Sequence, residues 1–219
     1  MIREVFGLYN RYWLPILMWS VLLIVPITTF SFVGILYAFD TDGIHNPSYL
    51  AGWLLVLNFV LGIPPFLKLV MKDEMDEEVT ILEGLQVFLK QFGFILLSSI
   101  AIYAIGLMGM YLLFIPTIIA ILFLLIFPFF SELKNVKDVV TQTFRKIKDE
   151  NISLVGDLFV IVGLNVAIWT SIMMFLEQYD NNVLAFLLIR NVMNIVILPI
   201  LYIYLSIRYR KREVFPSIK

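Results

Sequence analysis

Cysteine is absent from all 219 residues, and histidine occurs once, at His45. Without thiols there are no disulfides, thiolate nucleophiles, iron–sulfur clusters or cysteine-based zinc sites, and one imidazole alone does not build a metal centre. Charge is scarce as well: Asp, Glu, Lys and Arg make up 15% of the chain, with 16 basic and 17 acidic residues. There is no phosphate-cradling glycine loop, no His-Glu-x-x-His and no pair of intramembrane aspartates. No catalytic, cofactor-binding or metal-binding residue is therefore expected. The chain is expected to be no enzyme, to need no cofactor and to bind no nucleic acid.

What is present is hydrophobicity. Apolar residues account for 61% of the sequence and the mean hydropathy is +0.93, far above the range of water-soluble domains. The expected fold is an all-α polytopic membrane helix bundle, a single integral membrane domain over residues 1–219. Six spans are drawn, at about 12–37, 49–69, 93–114, 115–130, 152–176 and 184–204. The first runs on from the N-terminal tail at full length with no small-residue cleavage site, so it is expected to be retained rather than removed as a signal peptide. Basic residues fix the orientation: every Lys and Arg except Arg190 falls in the N-terminal tail, the second and fourth connections or the C-terminal tail. Under the positive-inside rule these segments face the cytoplasm, so a multi-pass protein of the cell membrane with both termini cytoplasmic is expected. The loop around Asp42 and His45, the turn at Pro116 and the loop around Glu177 and Asp180 are then external.

Two amphipathic stretches accompany the spans. Ile81, Leu85, Phe88 and Phe92 form one helical stripe, and Val136, Val140, Phe144 and Ile147 a second. Thr80 and Glu83 have the spacing of a capping box. Two or three cytoplasmic interfacial helices are expected here, Val5, Phe6 and Tyr9 marking the third. Each stripe would lie in the acyl boundary or against the bundle. Pro65-Phe66 and Pro128-Phe129 close the spans ahead of the two stripes, and Gln86, Phe88, Lys90 match Gln142, Phe144, Lys146. The recurrence has two readings: an internal duplication of hairpins, or convergence on what any interfacial helix needs. Pro26, inside the first span beside Thr28 and Thr29, predicts a kink.

Ionisable groups inside spans are costly and mark function by default. Arg190 and Asp157 are the two candidates, and with Asn191, Asn194 and Asn165 they make up a candidate polar intramembrane cluster. Arg190 has two readings: a side chain snorkelling toward Glu177 and Asp180, or part of a substrate path. Asp157 is expected to reach the cytoplasmic interface near Lys146 or Lys148. Asn58, Asn165, Ser98 and Ser99 read as interhelical hydrogen-bonding groups, and Trp13, Trp19, Trp53 and Trp169 as interfacial anchors.

Asn10-Arg11-Tyr12-Trp13 leading to Val25-Pro26-Ile27-Thr28, then Pro65-Phe66-Leu67-Lys68-Leu69-Val70 with Asp73-Glu74, then Phe88-Leu89-Lys90-Gln91-Phe92 carry a resemblance. The chain resembles the YesL-like family of small, uncharacterised integral membrane proteins of Gram-positive bacteria. It departs from that pattern after Thr28, where Thr29, Phe30 and Ser31 precede Gly34. The resemblance implies a setting beside carbohydrate ABC importers and no assigned activity. The expected function is thus a non-enzymatic accessory or regulatory membrane protein, with the lipid bilayer and ABC transporter subunits, or another membrane protein, as partners. The alternative is a permease-like transport component for a small solute or saccharide.

Overall fold

The computed structural model describes residues 1–41, 46–111, 114–133, 135–176 and 182–209. Among them there is no strand; the chain is a succession of helices. Helix α1 (Ile2–Arg11) is a short amphipathic helix that buries Val5 and Leu8 and leaves Ile2 and Phe6 exposed. A long rod follows at Trp13–Asp40, made of α2 (Trp13–Trp19), a π-helical turn (Ser20–Ile24) and α3 (Val25–Asp40). The expected disturbance at Pro26 takes the form of this π turn. Pro26 has no N–H for the preceding turn, and widening the helix there places the Val25 N–H on the Ser20 carbonyl.

The second rod, Pro47–Glu74, is α4 (Pro47–Val60) and α5 (Ile63–Glu74), interrupted at Leu61 and Gly62. Pro64 and Pro65 cannot donate to the turn before them, so the helix restarts there. The third is α6 (Ile81–Gly109), where both bonds of the Thr80–Glu83 capping box are made. Next come α7 (Ile115–Ile126), which continues as a 3₁₀ turn over Phe127–Phe130, then α8 (Val136–Leu176) and α9 (Val183–Tyr209). Four helices are long and apolar enough to cross a bilayer: Trp13–Asp40, Pro47–Glu74, Ile81–Gly109 and Val183–Tyr209. They mark a helical membrane protein.

The rod Pro47–Glu74 is central. Of its most apolar stretch 72% is buried, against 39% or less in the other three, and it touches α3, α6, α7 and α9. Trp19, Phe66 and Tyr202 meet at its middle: the Trp19 and Phe66 rings stand edge to face at 5.7 Å, and Phe66 and Tyr202 lie 5.2 Å apart. The α6–α7 hairpin closes through glycine. A Cβ on Gly109 would come within 2.8 Å of the Thr117 backbone nitrogen, and Thr117 Oγ1 donates to the Gly106 carbonyl at 2.7 Å.

Two expectations change. The stripes at 81–91 and 136–148 are not separate surface helices. They are the opening turns of α6 and α8, which run on without a break for 29 and 41 residues. No proline stands between stripe and span, and helix propagation past an established turn is favourable. The two stripes also face differently. Phe88 is buried and Ile81 and Leu85 pack on the core, whereas Val136 (63% exposed) and Phe144 (51%) face outward. The buried side of α8's start is Val139, Thr143 and Lys146 instead. Trp19 is likewise no interfacial anchor: it is fully buried, its indole N–H donating to the Ile81 carbonyl at 2.9 Å.

Candidate functional site

Close to the middle of three rods, Thr28, Asn58 and Asn194 form a hydrogen-bonded chain. Asn194 Nδ2 donates to Thr28 Oγ1 (3.0 Å), and the Thr28 hydroxyl donates to Asn58 Oδ1 (3.1 Å). One turn further along α9, Asn191 Nδ2 donates to Thr29 Oγ1 at 3.2 Å. All of this follows from helical spacing: Asn191 and Asn194 differ by three residues and share a face, and that face meets α3. Thr28 is fully buried, and Asn58, Asn191 and Asn194 are 8%, 8% and 7% exposed. In a hydrocarbon environment such groups have no water to turn to, so their mutual bonds tie α3, α4 and α9 into one unit. Asn191 Oδ1 and Ser31 Oγ are buried with no partner among the described residues.

The candidate cluster is therefore divided. Asn191 and Asn194 belong to this central layer. Arg190 is half-buried on the neighbouring face of α9, while Glu177 and Asp180, toward which it was expected to snorkel, lie outside the described residues, as does the Asn165 side chain. Asp157 sits elsewhere, at the end of the bundle where basic residues gather. Its carboxylate accepts from Arg208 Nη1 and Nε, both at 2.7 Å, and from the Tyr209 hydroxyl at 2.8 Å. Arg208 also meets Ser153 and the Tyr204 hydroxyl and lies 3.9 Å from Glu150. Lys146, expected near Asp157, instead pairs with Glu150 at 3.6 Å on its own helix. The physical reason is reach: Lys146 and Asp157 are eleven residues apart, about 16 Å along one helix, whereas α9 brings Arg208 alongside.

Two basic and two acidic side chains thus balance, each of the four no more than 19% exposed. This group joins α8 to α9 as the central layer joins α9 to α3 and α4. At the same end of the bundle Arg11 Nη1 meets Asp73 at 2.5 Å, and the Asp73 charge raises the Arg11 guanidinium above its ordinary value. Lys72 reaches Glu83 at 2.8 Å and Glu77 at 3.7 Å. The acidic stretch 73–78 is in this way partly engaged by α1 and α5.

In the sequence Asn58 stands out without Thr28 as its partner, and Arg208 is one basic residue among several of the C-terminal tail. Arg210, Lys211 and Arg212 of that tail lie outside the described residues. No group of three or more His, Asp or Glu side chains among the described residues is placed to hold a metal ion. The chain matches no protein-family model, no curated protein and no solved structure.

Proposed function

We propose that this chain is a six-span protein of the cell membrane, both termini cytoplasmic, acting as a non-enzymatic accessory or regulatory component. The four long apolar helices, the shorter Ile115–Phe130 and the apolar half of α8 supply the six spans. The supporting observation for a scaffold is the state of the central asparagines: Asn191 and Asn194 are 8% and 7% exposed and spend their amide donors on Thr29 and Thr28. Groups lining a permeation path would stand open to it. The alternative, a permease-like component for a small solute or saccharide, is favoured by Asn191 Oδ1 and Ser31 Oγ, which have no partner among the described residues. Association with carbohydrate ABC importers rests on the resemblance to YesL-like proteins.

Topology is tested by reporter fusions at Asp42, Pro116 and Asp180, all expected to read external; a cytoplasmic signal at any of the three rejects the six-span arrangement. The choice of function turns on Arg190. In a scaffold only a long cationic stem is needed, so Arg190→Lys is expected to leave abundance and saccharide-dependent growth unchanged. Arg190→Leu is expected to cost at most a modest loss of abundance. An Arg190→Lys protein of normal abundance that loses the growth phenotype would overturn the scaffold in favour of a ligand site that uses the planar guanidinium fork. Saccharide uptake by the purified chain alone in liposomes would overturn it as well.

A further inference from the structure

The interruption in the central rod leaves backbone groups to account for. The carbonyl of residue i in a helix takes its hydrogen bond from the N–H of residue i+4, or from i+3 in a tightened turn. For Leu61 these positions are Pro65 and Pro64, neither of which has an N–H. Leu61 is 4% exposed and Ile63 fully buried, so bulk water does not serve this carbonyl. An unmet buried backbone acceptor is costly and rare.

The Tyr202 side chain stands at the same place. Its ring packs on Phe59 and Phe66, and its hydroxyl oxygen lies 2.6 Å from where a Cβ on Gly62 would be. Gly62 is the residue that follows the Leu61 carbonyl. Tyr202 is fully buried, and its hydroxyl has no hydrogen-bond partner among the described residues. Ser206 Oγ, one turn along α9, is also buried and unpartnered, but a rotation about χ1 would let it donate to the carbonyl of its own helix four residues back. The rigid Tyr202 phenol has no such option.

We infer that the break at Leu61–Gly62 holds one buried water molecule, which accepts from the Tyr202 hydroxyl and donates to the Leu61 carbonyl. A hydroxyl at the Cβ position of Gly62 and the carbonyl of the residue before it, of opposite hydrogen-bonding need, form the polar pair that retains a water inside a protein. A cation would meet the oxygens but not the charge balance. Neither Pro47–Lys72 nor α9 carries a carboxylate, and an unpaired charge in this apolar surround is strongly penalised.

The test is a double-mutant cycle on the purified full-length protein in detergent, read as thermal unfolding midpoints. Tyr202→Phe is expected to lower the midpoint by about 2–4 °C, the shift that one lost hydrogen-bonding link produces in a chain of this size. Pro65→Ala restores an N–H at i+4 of Leu61, so in that background the same substitution should shift the midpoint by less than half as much. A midpoint unchanged or raised by Tyr202→Phe in the parent, or equal shifts in both backgrounds, overturns the inference. So does a midpoint that rises when sodium or potassium replaces choline in the parent but not in Tyr202→Phe, which would put a cation at the break. Should Pro65→Ala fail to fold, an experimental density map decides: a peak within hydrogen-bond distance of both groups supports the water, and its absence refutes it.

Discussion

Gly84→Val is expected to abolish recovery of folded, monodisperse protein, the largest effect of any single change in the bundle. A Cβ at Gly84 would stand 2.2 Å from Trp19 Cε2 and 2.5 Å from its Nε1. The indole cannot give way. It is fully buried, edge to face against Phe66, and donates its N–H to the Ile81 carbonyl in the same first turn of α6. Overpacking in a tight interior usually costs about 1–3 kcal/mol, and displacing the indole adds an unmet buried donor, about 1–3 kcal/mol more. Together these, about 2–6 kcal/mol, reach the lower end of the roughly 5–15 kcal/mol that holds a typical domain. The check is size-exclusion chromatography of the detergent-solubilised protein, beside Gly7→Val. A Cβ at Gly7 meets nothing within 4 Å, so that variant should elute as the parent does. A Gly84→Val protein that elutes and melts like the parent would show that α6 does not seat on Trp19.

Arg208→Leu ranks second. Its guanidinium serves Asp157, Ser153, Tyr204 and Glu150, and the Arg208 and Asp157 side chains are 19% and 14% exposed. Removing one member of a buried pair strands the other charge, at a cost of about 3–5 kcal/mol when burial is complete. With this partial exposure roughly half of that is expected. Stability should return in large part in Arg208→Leu with Asp157→Asn, because the second change removes the stranded charge. Thermal midpoints of the parent, both single variants and the pair make the measurement. If the double variant is as unstable as the sum of the singles, the cluster is held by packing rather than by charge.

Much of the bundle is written in the chain itself. The apolar runs, the capping box at Thr80 and Glu83, and the proline positions each act through neighbours within about four residues. Local pattern therefore carries them: Pro26 yields a π turn over Ser20–Ile24, and Thr80 and Glu83 exchange both capping bonds. The Gly106-x-x-Gly109 pair was also in plain view, but its meaning was not. At a spacing of three it matches no tight dimer motif, and only the returning α7 shows that Thr117 sits on it.

The site was legible in kind but not in pairing. Asn191, Asn194 and Asn58 stand out in any apolar helix, since a carboxamide in hydrocarbon needs a partner. That the partners are the hydroxyls of Thr28 and Thr29 depends on how α9 is rotated against α3, which no spacing within either helix states. The stripe of Val136, Val140 and Phe144 has a clear helical period, yet period fixes only that these residues share a face. Only the packed bundle shows that the buried side is that of Val139, Thr143 and Lys146, while Phe144 stays half-exposed against the Phe123 ring of α7.

The sequence by itself thus determined the helices and their breaks, because hydrophobic runs, caps and prolines operate over one or two turns of backbone. The tertiary structure alone decided that Pro47–Glu74 lies at the centre, that Asp157 meets Arg208 fifty-one residues away, and that Tyr202 stops against Gly62. Those outcomes depend on the rotation and depth of each helix relative to its neighbours. Rotation and depth are set by the summed packing of many side chains at once, and no local pattern contains that sum.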